Sequence, residues 1–341
     1  MKLYIDHYTG IYSWKKMAFA VREWILREYH SLIVDDLKFL TRKWIEVILY
    51  HNIWINRWNK RFIQENIVQK LPSIVGIERI SWDKDLYAEI LNIKQDVDKL
   101  IILERQFLYW EDWKKINTIS TNKLEGALLE NDINRLWIWN INFRQDLLTI
   151  CKSIEEENIH RVHILPAWKK HAIKNELFSL EGSWTLIGND FGNPEIVPAQ
   201  GWDEDILTWI LSTNWKSKFL KPRTKEYIID NISHFRIAKV DNIPVWCMEI
   251  IPINSDTIEL WALAVIKGFL SFKIWFTLVD FAEKYASKNR LDIISLTNNP
   301  KLESIYKWRW FREDTENLYW ERSKKSPWVK LFILDYNKNS S

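Results

Sequence analysis

Short apolar runs alternate with amphipathic stretches in the first part of the chain. Apolar runs at residues 17–21 and 45–50 predict two strands, and the helical spacing of apolar residues over 31–42 predicts a helix between them. The polar segment 51–60 is predicted to be a loop. A strand, a helix and a second strand in this order favour a parallel sheet with helices on its faces.

The same alternation continues to residue 190. It predicts, in chain order, a helix over 83–94, a strand over 98–103, a hairpin at 109–116, a helix from Asn142, a strand over 161–165 and a helix over 169–178. Residues 1–190 are therefore predicted to form one α/β domain. Glycines and prolines then interrupt the periodicity and predict a linker over 191–202.

The remaining residues, 203–341, have a different order of elements. The pattern predicts helices at 203–211 and 223–231, strands at 235–240, 245–251 and 257–265, a helix at 275–287, a strand at 291–296, a helix at 300–307 and a terminal strand pair. Consecutive strands joined by short turns pair antiparallel. This part is therefore predicted to be an α+β domain with a mostly antiparallel sheet.

The charge balance and the cysteine content exclude several classes of protein. Forty-eight Lys and Arg against 45 Asp and Glu give a formal net charge of +3, which provides no strong field for nucleic acid. Cys151 and Cys247 are too few for a disulfide scaffold, and neither cysteines nor histidines show metal-ligand spacing. The apolar runs are too short for a membrane span, and the first residues lack a secretion signal. We therefore expect a cytoplasmic protein that binds no metal, nucleic acid or membrane.

Tryptophan is unusually frequent and glycine unusually rare. The chain has 22 Trp and only 8 Gly, whereas glycine makes up roughly 7% of average proteins. Many tryptophans lie between polar residues where turns are predicted; Asp112-Trp113, read as Asp-Gly, becomes the pair that suits a type I′ hairpin turn. We interpret most of the 22 positions as UGA codons that the source lineage reads as glycine. The alternative is a truly tryptophan-rich protein with carbohydrate-binding aromatic rings.

The order of elements after residue 203 resembles that of the GNAT acetyltransferases. The most specific part is Ile258-Glu259-Leu260-Trp261-Ala262-Leu263-Ala264-Val265, then a loop and Ile274-Trp275-Phe276. With glycine at 261 and 275, it is similar to that family's central strand and pyrophosphate loop. The resemblance implies acetyl-CoA as co-substrate, bound by backbone N–H groups and a helix N-terminus. The residues that it implies are Leu263, Ala264, Val265, Lys273, Ile274, Trp275 and Phe276.

Two positions depart from the pattern of that family. Leu270 stands where the family has a basic residue or glutamine, and Lys273 stands where it has its first glycine. Lys273 can instead offer a charge to the phosphates. An indole at Trp275 would fill the loop and prevent acetyl-CoA from binding.

Two residues are candidates for proton transfer. The segment Ile305-Tyr306-Lys307-Trp308-Arg309-Trp310-Phe311, read with glycine, resembles the family's Tyr-x-x-x-Gly-Phe segment, which implies Tyr306 as the general acid for the departing CoA thiolate. The alternative is a tyrosine that only packs. Glu259 is the candidate base, since an ammonium must lose a proton before it attacks; the alternative is a solvated strand residue. We expect direct attack, because Cys247 has no evident histidine partner and is predicted to lie in the core.

Several segments of residues 1–190 resemble the amino-acid kinase fold. Glu176-Leu177-Phe178, followed by Gly182-Ser183-Trp184-Thr185 with glycine read at 184, matches the closing segment of arginine-sensitive acetylglutamate kinases and N-acetylglutamate synthases. The resemblance implies an arginine effector site at His163, Glu176, Gly182 and Trp184. The alternative for Glu176 is a solvent-facing carboxylate at a helix end. At most one glycine follows the first strand, so we expect no kinase activity.

An amino-acid kinase-like domain joined to a C-terminal GNAT domain is the architecture of the N-acetylglutamate synthases. The resemblance covers nearly the whole chain and implies acetyl transfer to the α-amino group of L-glutamate, which opens arginine biosynthesis, with L-arginine as effector in a homo-oligomer. It places the substrate carboxylates at Arg223 and at either Arg322 or Lys324, Lys325 and Ser326. Two alternatives stay open: a GNAT enzyme for another amine, and a non-catalytic arginine-sensing protein.

Overall fold

A computed structural model describes residues 4–72, 75–92, 97–106, 108–110, 112–129, 136, 141–179, 185–189, 194–215, 220–240, 243–266, 274–324 and 329–335. The chain divides into two compact units, Met1–Asp190 and Phe191–Ser341. Each unit contains one seven-stranded sheet. None of the described helices combines the length and the apolar character that crossing a membrane requires.

The sheet of the first unit is mainly parallel. Its strands are β1 (Lys16–Val21), β2 (Glu46–His51), β3 (Gly76–Arg79), β4 (Lys99–Glu104), β5 (Thr118–Ile119), β6 (Arg161–Pro166) and β7 (Thr185–Gly188). Their spatial order is β3-β2-β1-β4-β6-β7-β5, and only β6 and β7 pair antiparallel. The helices are α1 (Ile5–Tyr12), α2 (Glu23–Thr41), α3 (Arg57–Ile63), α4 (Leu86–Asn92), α5 (Thr121–Leu129), α6 (Ile141–Glu155) and α7 (Ala172–Phe178). The predicted parallel α/β class is confirmed.

Helix α3 replaces part of the predicted loop 51–60. The side chain of Asn56 caps this helix by accepting a hydrogen bond from the backbone N–H of Asn59. Asn59 is also the buried residue of α3. The loop prediction was wrong because the helix rests on a polar cap and lacks the apolar stripe that periodicity detects.

The sheet of the second unit is mainly antiparallel. Its strands are β8 (Glu195–Pro198), β9 (Phe235–Val240), β10 (Ile243–Pro252), β11 (Thr257–Val265), β12 (Asp292–Thr297), β13 (Arg312–Glu313) and β14 (Lys330–Leu334), in the order β13-β14-β12-β11-β10-β9-β8. Only β11 and β12 pair in parallel. The helices are α8 (Glu204–Trp215), α9 (Lys225–Asp230), α10 (Ile274–Asn289), α11 (Pro300–Trp308) and α12 (Trp320–Lys324). The predicted α+β class is confirmed, while β8 occupies four residues of the predicted linker because they pair with β9.

Most described tryptophan side chains are exposed, and several have a backbone conformation that favours glycine. Twelve are exposed, whereas Trp246 is fully buried. Trp14, Trp44, Trp113 and Trp310 have φ values of 68°, 60°, 58° and 65°. This left-handed region costs a residue with a Cβ atom roughly 1–2 kcal/mol. These four backbones have the geometry that the glycine interpretation requires.

Candidate active site

Strands β11 and β12 separate partway along β11. Their parallel pairing ends at Leu260 opposite Ser295, and from Trp261 onward no described residue of β12 pairs with β11. The other edge of β11 stays paired with β10 as far as Val265. The backbone also bulges here, and Ala262 has a φ of 51°. The separation opens a cleft at the centre of the second sheet.

A cavity of about 790 Å³ lies at this cleft. Its wall includes Arg223, Trp261, Leu263, Trp275, Ser295 and Tyr306. This volume is within the range of sites for small molecules and cofactors, roughly 300–1,000 Å³. The cavity therefore brings together residues from both ends of the second unit.

Glu259 forms an ion pair beneath the cleft. Its side chain on β11 is fully buried, and its carboxylate accepts a hydrogen bond from the guanidinium of Arg322 on α12. The solvated alternative for Glu259 is therefore wrong. Burial raises the pKa of Glu259, with a smaller contribution from Glu249, while Arg322 and the indole N–H of Trp261 oppose the rise. A carboxylate with a raised pKa is a stronger proton acceptor.

A second ion pair lies on the neighbouring strand. Glu249 of β10 is fully buried, accepts a hydrogen bond of 2.5 Å from the Tyr227 hydroxyl, and has its Oε2 atom 3.5 Å from Nη2 of Arg223. The Arg223 guanidinium lies 4.3 Å from the ring centre of Trp261 and 4.9 Å from that of Tyr227. Motif resemblance indicates Arg223, whereas Glu249 and Tyr227 belong to no motif and were not predicted. The available signal was one acidic residue inside the apolar run 245–251.

Tyr306 both packs and faces the cavity. Its ring is fully buried against Phe311 and Phe332, with centroids 4.9 and 5.6 Å away. Its hydroxyl is 2.9 Å from the Ser295 hydroxyl and both residues line the cavity. Burial raises the pKa of Tyr306 to about 12, so the hydroxyl stays protonated at neutral pH.

The residues that are expected to bind acetyl-CoA do not all line the cavity. Leu263 lines the cavity, whereas Ala264 and Val265 are buried and paired with β10. Trp275, in the first turn of α10, lines the cavity and is half-buried. Phe276 packs edge-on against Trp308, with ring centroids 5.2 Å apart. Ile274 is the first residue of α10, and Leu270 and Lys273 lie outside the described residues.

The sequence offers either Arg322 or Lys324, Lys325 and Ser326 as the second group that binds the substrate carboxylates, and the structure distinguishes Arg322 from Lys324. Arg322 reaches Glu259, whereas Lys324 is exposed with its ammonium 5.5 Å from the ring centre of Trp320. Lys325 and Ser326 lie outside the described residues. The geometry therefore brings Arg322, and not Lys324, to the buried carboxylate.

Cys247 is unsuited to act as a nucleophile. It is fully buried on β10, and burial raises the pKa of its thiol above the ordinary value. The thiolate is the reactive form of cysteine. The described residues also contain no group of three or more His, Cys, Asp or Glu placed to hold a metal ion.

His163 and Glu176 form a buried pair in the first unit. Nδ1 of His163 on β6 lies 2.6 Å from Oε1 of Glu176 on α7, and both side chains are buried. The solvent-facing alternative for Glu176 is wrong. Tyr8 of α1 is a further buried group whose hydroxyl has no hydrogen-bond partner among the described residues. Its pKa is raised, mainly by burial and to smaller extents by Tyr12, Tyr4 and Glu176, in that order. Tyr8 was not predicted from the sequence, and Gly182 and Trp184 lie outside the described residues.

Arg22, the first residue after β1, is already paired with carboxylates of the first unit. The Arg22 guanidinium donates a hydrogen bond to Asp146, lies 3.9 Å from Glu104, and stacks 4.8 Å from the centre of the Tyr87 ring. Both carboxylates are buried. This arginine therefore belongs to an internal cluster with Asp146, Glu104 and Tyr87.

The sequence matches no protein-family model and no curated protein. Among solved structures, N-acetylglutamate synthase from Neisseria gonorrhoeae complexed with coenzyme A and L-arginine is similar over 97% of both chains, with a TM-score of 0.56 and 13% identity. The same enzyme complexed with coenzyme A and N-acetyl-glutamate has a TM-score of 0.46, again with 13% identity over 97% of both chains. The PaiA N-acetyltransferase from Thermoplasma acidophilum, in complex with coenzyme A, matches 42% of this chain and 99% of its own, with a TM-score of 0.36 and 18% identity.

The first similarity defines the fold. The chain has the two-part fold of N-acetylglutamate synthase, in which an amino-acid kinase-like domain precedes a GNAT acetyltransferase domain. The resemblance stated from sequence motifs is therefore confirmed at the level of the fold.

Proposed function

We propose that this chain is an amino-acid N-acetyltransferase that uses acetyl-CoA and acts on the α-amino group of L-glutamate. The observation that carries the proposal is that two buried carboxylates on neighbouring strands are each paired with a guanidinium, Glu249 with Arg223 and Glu259 with Arg322, and that Arg223 lines the cavity. A carboxylate suits an α-ammonium group, and a guanidinium suits a carboxylate. An α-amino acid carries both of these groups. The fold of a synthase solved with coenzyme A supports acetyl-CoA as the co-substrate.

Glu259 is the base in this proposal, and Tyr306 is the acid. Glu259 takes a proton from the acceptor ammonium, the free amine attacks the thioester carbonyl, and the C–S bond breaks. Tyr306 donates a proton to the departing CoA thiolate, and the second proton that the attacking nitrogen loses restores the Tyr306 hydroxyl. Arg223 and Arg322 bind the acceptor carboxylates, and Leu263–Val265 together with residues 273–276 bind acetyl-CoA.

The direct test is glutamate-dependent release of CoA from acetyl-CoA. It is run on the chain and on a variant with Trp261→Gly and Trp275→Gly, because these two indoles stand in the cavity wall. We expect turnover with glutamate in the double variant. Turnover only with another amine would favour a different GNAT enzyme. Arginine binding without turnover of any amine would favour the sensing protein.

Arginine is proposed as the effector of the first unit, and Glu176 as the residue that pairs with it. Glu176→Gln is expected to weaken arginine binding by about tenfold or more, because a hydrogen bond to a charged group contributes roughly 1.5–3 kcal/mol. Titration calorimetry with L-arginine measures this change. Glu78→Gln, at an exposed residue of β3, should bind arginine like the parent. Equal affinity in the parent and in Glu176→Gln would remove Glu176 from the site.

A further inference from the structure

Helix α7 depends on another helix for its N-terminal cap. The first N–H groups of a helix need acceptors from outside the helix. His171, the residue before α7, is described with a left-handed backbone, φ 59°, and its side chain makes no cap hydrogen bond with α7. The N–H groups of Ile173 and Lys174 in the first turn therefore need an acceptor from elsewhere in the chain.

A buried carboxylate of α2 is this acceptor. Oδ2 of Asp36 accepts hydrogen bonds from the backbone N–H groups of Ile173, at 3.0 Å, and Lys174, at 3.5 Å. Oδ1 of Asp36 lies 3.3 Å from Nδ1 of His171. Asp36 is buried, and a carboxylate at a helix N-terminus is stabilised by the positive end of the helix dipole. Asp36 thus caps α7 from a helix that is distant in sequence.

The same face of α2 also contacts the other end of α7. Asp36 and Phe39 are three residues apart and therefore lie on one face of α2. The Phe39 ring packs edge-on against the ring of Phe178, the last residue of α7, with centroids 5.2 Å apart. Helix α2 consequently holds α7 at its first turn and at its last residue.

Helix α7 carries Glu176 between these two contacts. The helix has only seven residues, and isolated helices shorter than about 12–15 residues are marginal in water. Its position therefore depends on its contacts with the rest of the first unit. Oε1 of Glu176 lies 2.6 Å from Nδ1 of His163 on β6, so a displacement of the first turn of α7 would also move this carboxylate.

We propose that Asp36 is a positioning residue, which holds α7 against α2 and thereby sets the position of the Glu176 carboxylate. This inference rests on the proposed function for the ligand of Glu176, which is L-arginine. It goes further because it assigns control of that site to a residue on another helix, which acts through the backbone of α7 and belongs to no motif.

Calorimetry with L-arginine on the full chain compares Asp36→Ala with Asp35→Ala. Asp35 is the neighbouring, exposed carboxylate of α2, so this control removes the same charge from the same helix. We expect arginine to bind at least about threefold more weakly to Asp36→Ala, because loss of a helix cap lowers the fraction of molecules that are competent to bind. Asp35→Ala should bind arginine like the parent.

Two measurements report the position of α7 without a ligand. Amide hydrogen exchange in α7 should be faster in Asp36→Ala than in the parent, while exchange in β1 and β4 stays unchanged, since opening is local. The NMR signal of the His163 Nδ1 atom should shift in Asp36→Ala and not in Asp35→Ala. A general loss of stability would instead accelerate exchange in the core strands as well and leave the His163 signal in place.

Conservative variants separate the hydrogen bonds from the bulk of the side chain. Asp36→Asn keeps an oxygen that can accept the N–H of Ile173, and it should restore arginine affinity to within about twofold of the parent. Binding as weak as in Asp36→Ala would contradict the capping role. If Asp36→Ala fails to fold by circular dichroism, Asp36→Leu replaces it, because leucine fills the space but accepts no hydrogen bond.

The inference and the proposed effector can fail separately. Parental exchange in α7 together with a parental His163 signal in folded Asp36→Ala would overturn the inference. Faster exchange in α7 with parental arginine affinity would also overturn it, since the position of Glu176 would then be independent of the cap. If the parent binds no arginine, the effector proposal fails, and the exchange and the His163 signal still decide the role of Asp36.

Discussion

Replacing Glu259 with glutamine is expected to lower kcat for glutamate acetylation by about 10²–10⁴-fold, the usual contribution of a positioned general base. Glutamine preserves the shape of the side chain and can still accept a hydrogen bond from Arg322, but it cannot take up a proton. The measurement is steady-state CoA release in the chain that carries glycine at 261 and 275. Glu313→Gln, at an exposed residue of β13, is the matched control and should retain full activity.

The pH dependence of kcat/KM should report the ionisation of Glu259. Burial raises the pKa of Glu259, and a base acts only when it is deprotonated. We therefore expect kcat/KM to fall as the pH decreases through this raised pKa, above the ordinary range of glutamate, and to be constant at higher pH until another group titrates. Glu259→Gln should lose this acidic limb. A variant that keeps both the limb and more than about a tenth of kcat would contradict the assignment of Glu259 as base.

Replacing the tryptophans of the first unit that have a left-handed backbone conformation with glycine is expected to stabilise this unit. Trp14, Trp44 and Trp113 have positive φ values, and relief of roughly 1–2 kcal/mol at each is partly offset by the greater freedom of glycine in the unfolded chain. A further offset is the stacking of Trp14 on Trp44, with ring centroids 5.5 Å apart. We expect a net stabilisation of about 1–2 kcal/mol, which would raise Tm by roughly 2–8 °C, as measured by calorimetry.

Two other substitutions of tryptophan by glycine should lower the stability of the protein. Trp58 is exposed in α3 and lacks a positive φ, so glycine there should cost roughly 0.5–1 kcal/mol of helix stability. Trp246 is fully buried in β10, and glycine there should cost about 3–5 kcal/mol or more. If the triple variant also loses stability, the left-handed positions do not prefer glycine. UGG codons at those positions would likewise end the interpretation.

Buried strands of the first sheet could be predicted because they are continuous apolar runs. The predicted runs 17–21, 98–103 and 161–165 agree to within one residue with β1, β4 and β6. Their side chains are buried along nearly the whole strand, and both faces of such a strand need apolar residues. The same reasoning fails for β8, which is short and half-exposed and becomes a strand only by pairing with β9.

The site residues were predictable one by one but not as a set. Motif resemblance selected Arg223, Glu259 and Tyr306, which lie on different elements. Their proximity depends on the place where β11 leaves β12 and on how α11 and α12 return to the sheet. Glu249 carries no motif at all, and it becomes notable only because the β10–β11 register sets it beside Trp261.

By itself, the sequence determined the longer buried strands and several of the helices, the class of each sheet and the positions where a backbone without a side chain would fit, because these depend on local periodicity and on residue chemistry. Only the tertiary structure decided which charges pair, since Glu259 with Arg322 and Glu249 with Arg223 are separated by long stretches of chain. Whether a carboxylate is buried also depends on the tertiary structure. A carboxylate is an ordinary surface group or a strong base depending on whether folding removes it from water.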